Sequence, residues 1–129
     1  MTNFESESLG YRQQYIMQCV WEAGSTVTIP MLIDMLEVKC GQRFSKGSVN
    51  AIVLKLVDKG YLEQVGKIRQ AYQFRALISE EEFELQEIER TKDFTFKGKP
   101  SKLLSALVKT DISKDELRKM KEILDRINE

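Results

Sequence analysis

The chain of 129 residues contains no histidine, two cysteines, two prolines and no long apolar run. Without histidine it lacks the commonest general base and metal ligand. It also lacks a Gly-x-Ser-x-Gly elbow and a phosphate-cradling glycine loop, so we expect no enzymatic activity, no metal and no cofactor. No apolar stretch approaches the roughly 18 residues that span a bilayer, and the polar, acidic N-terminus does not read as a signal peptide. We therefore expect a cytoplasmic protein without membrane contact.

The two cysteines, Cys19 and Cys40, do not have metal-site spacing. Cys19 lies in an apolar helical stretch, where a thiol packs as a small hydrophobic group. Cys40 lies beside a predicted loop. A disulfide is not expected in the reducing cytosol, but a redox role for Cys40 stays open.

Charged residues are abundant and unevenly distributed. The net charge is zero, yet residues 1–38 carry −4, residues 39–75 carry +6 and residues 76–129 carry −2. A basic middle third in a neutral protein predicts a face that binds phosphate groups. Its basic residues are Lys39, Arg43, Lys46, Lys55, Lys59, Lys67, Arg69 and Arg75.

The first part of the chain predicts two helices joined by a short extended segment. Apolar residues recur at helical period over residues 7–22, and Gly24 ends the pattern. The β-branched residues at 26–28 favour a short strand. Thr28 is then placed to cap a second helix with Pro30 in its first turn, and Gly41 marks the following turn.

A third helix is predicted over residues 45–60. Its apolar residues follow the i, i+3, i+4, i+7, i+8 spacing of a core-facing helix: Val49, Ile52, Val53, Leu56 and Val57. A solvated helix normally mixes charges of both signs on its outer face. Here a set of residues on the other faces is small, polar or cationic and contains no acid: Ser45, Lys46, Gly47, Ser48, Asn50, Ala51 and Lys55.

Two strands are predicted at residues 61–65 and 71–75, joined by a glycine-bearing turn at 66–70 with Lys67 and Arg69. The order helix, strand, helix, helix, strand, strand is that of a winged helix. We therefore predict a mainly α fold of the α+β winged-helix type. In helix-turn-helix proteins the second helix of the motif enters the major groove, which here is the helix over 45–60.

This arrangement predicts double-stranded DNA as the partner. Lys46, Lys55, Lys67 and Arg69 are expected to meet phosphates. Ser48 and Asn50 are placed to reach base edges. The full predicted DNA-binding set is Arg43, Ser45, Lys46, Gly47, Ser48, Asn50, Ala51, Lys55, Lys67, Arg69, Gln70 and Tyr72.

The remainder, residues 78–129, predicts a helical dimerisation region after a winged-helix domain over 1–77. Ser79 with Glu82, and Ser113 with Glu116, fit capping boxes, and a short amphipathic helix is predicted over 101–109. The last helix carries a narrow apolar seam that one helix cannot bury alone, which favours a homodimer. The predicted dimer contacts are Phe83, Leu103, Leu104, Leu107, Leu117, Met120, Leu124 and Ile127.

The sequence also resembles the penicillinase-repressor family, which includes the methicillin-resistance and copper-operon repressors. The resemblance lies in four stretches in the family's order and spacing: IMQCVWEAGSTVTI, FSKGSVNAIVLKLVDKGYL, AYQFRALISEEEF and LLSALVKTDISKDELRKMKEIL. It implies a dimeric repressor with an N-terminal winged helix and a C-terminal helical dimerisation region. Dimer symmetry in turn implies a palindromic operator with half-sites about one helical turn apart.

Some positions depart from the family's recognition helix and wing. Family members have an aromatic-Ser pair, then Thr, a branched residue, often Thr, and Arg. The matching positions here are Phe44-Ser45, Ser48, Val49, Ala51 and Lys55. The alanine and the lysine imply an altered operator, and the family's wing Gly-Arg becomes Arg69-Gln70.

Two further departures concern release from DNA. The β-lactam-responsive members are cleaved at an Asn-Phe bond, and the matching region here reads Leu104-Ser105-Ala106-Leu107. The copper-responsive members carry a C-terminal cysteine-rich hook, and no cysteine follows Cys40. The resemblance therefore leaves the inducing signal open, with an unknown inducer or a sensor protease as possible partners.

Three other interpretations stay open at this point. One is a winged-helix regulator that senses a small molecule in an apolar pocket near Phe83, Phe94 and Phe96. Another is a protein-interaction module that has lost operator binding. The third is a thiol sensor that uses Cys40.

Overall fold

The computed structural model describes residues 9–127, and it has the predicted order of helices and strands. A π-helical turn, Thr91–Thr95, follows the fourth helix directly. The order confirms the mainly α, α+β winged-helix fold. The elements are α1 (Tyr11–Ala23), β1 (Val27–Thr28), α2 (Ile29–Cys40), α3 (Lys46–Asp58), β2 (Leu62–Ile68), β3 (Ala71–Ala76), α4 (Glu80–Arg90), α5 (Pro100–Leu107) and α6 (Lys114–Ile127).

The helix boundaries follow capping residues. The predicted start of α1 at Glu7 lies outside the described residues; α1 begins at Tyr11, after an extended Gly10. The Thr28 hydroxyl accepts the Met31 N–H at 3.3 Å at the start of α2, as predicted. Helix α3 ends at Asp58 rather than at the predicted Gly60, because Gly60 has a φ of +84° and cannot continue it.

The three strands form an antiparallel sheet in the order β1-β3-β2. In its register Val27 lies opposite Phe74, so β1 extends the wing hairpin on the β3 side. Strand β2 continues to Ile68, and the turn contains only residues 69 and 70. The prediction of a turn over 66–70 was therefore wrong. A β-bulge between Gln64 and Gly66 lets the strand continue past the glycine.

The chain divides into two compact units, and the first ends at Leu85, later than the predicted boundary at 77. Phe83 is 7% exposed and packs against Trp21 and Tyr61, with ring centroids at 5.5 and 6.2 Å. Its assignment to the dimer surface was wrong, because its ring fills the winged-helix core. The Trp21 indole N–H donates to the Ile78 carbonyl at 2.9 Å. This hydrogen bond holds the segment before α4 against α1. Fully buried core side chains include Ile16, Met17, Val27, Leu32, Leu36, Val49, Val53, Leu56, Leu62 and Phe74.

The second unit begins at Gln86 and contains α5 and α6. The Ser113 hydroxyl accepts the Glu116 N–H at 3.1 Å, at the N-terminal end of α6. No described residue of α5 or α6 is buried. Among the predicted dimer contacts, Leu103, Leu104 and Met120 are half-buried, and the others in this unit are exposed: Leu107, Leu117, Leu124 and Ile127.

Candidate nucleic-acid interface

Helix α3 is fixed at its start by a serine cap. The Ser45 hydroxyl accepts the Ser48 N–H at 3.1 Å and donates to the Ser48 hydroxyl at 2.9 Å. Such a cap satisfies one of the free N–H groups at a helix start. Ser48 is exposed, so its hydroxyl is also accessible to an external ligand.

The faces of α3 agree with the spacing of its apolar residues. Val49, Val53 and Leu56 are buried, while Ile52 and Val57 are half-buried. The predicted contacts on this helix are all exposed: Lys46, Gly47, Ser48, Asn50, Ala51 and Lys55.

Sequence reasoning missed Leu54, which is 48% exposed. It lies three residues after Ala51 and four after Asn50, so the three share a face of the helix. The sequence analysis placed Leu54 neither among the core-facing residues nor in the DNA-binding set. The same helical spacing that excluded Asn50 and Ala51 from the core also excludes Leu54, and that signal was available in the sequence.

A groove of about 280 Å³ lies between the first turn of α3 and the wing. Its predicted site residues come from two separate parts of the chain. Lys46 and Asn50 come from α3, and Arg69, Gln70 and Tyr72 come from the hairpin. Its remaining lining residues are Ile29, Pro30, Ala71 and Phe74.

The two other lysines of the predicted set lie outside this groove. Lys55 is nine residues after Lys46 on an exposed face of the same helix, about 13 Å along its axis. Lys67 lies opposite Tyr72 in the hairpin register, and its ammonium sits 4.7 Å from the centre of that ring. This cation–π contact holds Lys67 against the wing without neutralising its charge.

Some basic residues of segment 39–75 pair with a carboxylate, and others do not. Lys39 pairs with Glu22 at 2.7 Å, and Arg75 pairs with Glu63. Lys46, Lys55, Lys67 and Arg69 have no ion pair with any carboxylate in the range 9–127. These four cations are the ones predicted to meet phosphates.

Arg43 differs from those four, although it belongs to the same predicted set. It lies in the turn between α2 and α3, and its guanidinium contacts Asp34 at 3.1 Å and Glu37 at 2.7 Å. The hydrogen bonds that the Arg43 guanidinium donates to these two carboxylates, Glu37 first, raise the pKa of Arg43. Its charge is already compensated, which sequence spacing could not reveal because the partners lie on the preceding helix.

The residues named for the alternative sites lie in different surroundings. Phe83 is buried in the core of the first unit, and Phe94, which belongs to the second, is 73% exposed. Both cysteines are free, with Cys19 buried and Cys40 half-buried. Burial raises the pKa of the Cys19 thiol. Among residues 9–127, no helix is long and apolar enough to cross a membrane, and no cluster of potential ligands could hold a metal ion.

Two kinds of comparison identify relatives. RosR of H. salinarum has 15% identity and a TM-score of 0.54, over 95% of this chain and 96% of that one. RosR-SG, in a complex structure, has 16% identity and a TM-score of 0.54, over 95% and 94%. At these identities the likeness establishes the winged-helix fold alone. No curated protein is significantly similar in sequence.

The sequence model of the family described as penicillinase repressor matches residues 9–126. This match extends over both units, from the residue before α1's cap to the last turn of α6. It confirms the resemblance found in the sequence. The chain belongs to the penicillinase repressor family, and it is a winged-helix, DNA-binding transcriptional regulator.

Proposed function

We propose that the chain acts as a homodimeric repressor whose two winged helices bind the two halves of a palindromic operator. The observation that carries this proposal is the groove between α3 and the wing. It brings together Lys46, Asn50, Arg69, Gln70 and Tyr72 from distant parts of the sequence. Neither of its cations has a carboxylate partner within residues 9–127.

The contacts divide into those that give affinity and those that give sequence preference. Lys46, Lys55, Lys67 and Arg69 bind phosphates, because they are exposed cations without a carboxylate partner among the described residues. Such contacts supply most of the affinity and make it depend on salt.

Sequence preference comes from the outward face of α3. Ser48 and Asn50 carry polar groups that can hydrogen-bond to base edges, and an asparagine amide suits adenine N6 and N7. Gly47 and Ala51 are small enough to let the helix approach closely. Leu54, on the same face, fits an apolar contact with a thymine methyl group.

A second copy of the chain covers the apolar residues of α5 and α6. Leu107, Leu117, Leu124 and Ile127 are exposed. Several charged residues elsewhere on α6 form ion pairs, such as Arg118 with Asp115 and Glu122. An isolated helix with such a seam is a typical partner surface. This supports a dimer in which two recognition helices address one duplex.

The test measures stoichiometry and symmetry together. The protein is titrated onto the duplex upstream of its own gene, the mass of the complex is measured by light scattering, and the site is mapped by hydroxyl-radical footprinting. Two chains per duplex and two protected half-sites about one helical turn apart are expected. A control variant, Leu124→Lys, should weaken both self-association and operator binding. One chain per duplex, or a single asymmetric footprint, would contradict the proposal.

A further inference from the structure

The wing turn has a backbone conformation that its residues rarely adopt. Arg69 and Gln70 have φ values of +50° and +74°. This left-handed region is uncommon for any residue with a side chain, and Asn, Asp and Gly are the usual exceptions. Two-residue hairpin turns with positive φ at both positions favour Asn-Gly, Asp-Gly or Gly-Gly. The wing therefore has strained backbone at its tip.

The side chains of Arg69 and Gln70 do not visibly stabilise the fold. Both are exposed, and neither forms a hydrogen bond or an ion pair with any residue in the described range 9–127. Strained residues of this kind persist where they serve a site rather than the fold. Both Arg69 and Gln70 line the groove beside Lys46 and Asn50 of α3.

We propose that Gln70 is a specificity-determining residue of the operator, kept at the expense of wing stability. Its side-chain amide hydrogen-bonds to a base edge beside the segment read by α3. Arg69, at the preceding position, contacts the adjoining phosphate. This inference rests on the proposed function, because it assigns a base contact within the same DNA interface.

The experiment compares Gln70→Gly and Gln70→Asn with the wild-type protein. Both replacements tolerate the positive φ and leave the net charge unchanged, so strain relief should raise the melting temperature by roughly 2–6 °C, the more for glycine. Glycine also removes the amide, while asparagine keeps it. We expect Gln70→Gly to weaken operator binding about tenfold, since the dimer loses two hydrogen bonds. Gln70→Asn should keep most of the affinity.

A scrambled duplex separates base reading from general DNA binding. On it, Gln70→Gly should bind as well as the wild type, so that the loss falls on the operator alone. The inference is overturned if Gln70→Gly keeps full operator affinity, if it loses equally on both duplexes, or if its melting temperature does not rise. A wild-type protein without operator preference would instead refute the proposed function, whatever the melting temperatures show.

Discussion

Replacing Lys55 with alanine should change how operator binding depends on salt. Each phosphate contact contributes about −0.9 to the slope of log K against log salt. The four cations Lys46, Lys55, Lys67 and Arg69 lack carboxylate partners in the range 9–127. If all four bind phosphates, a dimer makes about eight contacts and has a slope near −7. Lys55→Ala removes one contact per chain, so the slope should become shallower by about 1.8.

The assay is fluorescence anisotropy with a labelled operator duplex between roughly 50 and 200 mM salt. Over this range the wild-type affinity should fall by about 10⁴-fold and the Lys55→Ala affinity by about 10³-fold. The matched control is Arg75→Ala, which removes a cation that already pairs with Glu63 and should leave the slope near its wild-type value. An unchanged slope for Lys55→Ala, or an equal change for Arg75→Ala, would refute the assignment of phosphate contacts.

Three further predictions follow from contacts elsewhere in the winged-helix unit. In the double variant Asp34→Asn, Glu37→Gln, Arg43 loses its two carboxylate partners and the chain loses two negative charges. Operator affinity, measured by fluorescence anisotropy, should therefore rise roughly fivefold. An unchanged affinity would contradict a position of Arg43 close to the bound duplex. Cys19 is wholly buried and its pKa is raised by burial, so mass spectrometry should find it unalkylated in native protein and modified in urea. The pKa of Glu82 is lowered by hydrogen bonds from Ser79, the backbone N–H first. Its stabilising effect is therefore present above the unfolded pKa, about 4.3, and is lost as pH falls through the lower folded value. Glu82→Ala should reduce the melting temperature at pH 7 and less so below pH 4 in a thermal scan; a pH-independent difference would count against it.

The sequence predicted those features that depend on local spacing. Thr28 caps α2 as predicted, because a side-chain hydroxyl at a helix start acts within three residues. The buried and exposed faces of α3 followed from the 3.6-residue period. Around Lys46 and Asn50, the helical period was therefore sufficient to predict which residues of α3 are exposed.

Features that depend on distant contacts could not be predicted in this way. Phe83 looked like part of an amphipathic surface helix, but Trp21 and Tyr61 close over it from elsewhere in the chain. Arg43 looked like a free cation until the carboxylates of α2 came within reach. The bulge before Gly66 moved the wing turn by changing strand pairing, and such pairing is set by tertiary structure.

The central claim is sequence-specific DNA binding by this chain, and one titration tests it most directly. Wild-type protein is titrated against the upstream region of its own gene and against a scrambled duplex of equal length, at a fixed salt near 150 mM. The account predicts that the native fragment binds at least about 10³-fold more tightly. Equal, weak binding to both duplexes would contradict it.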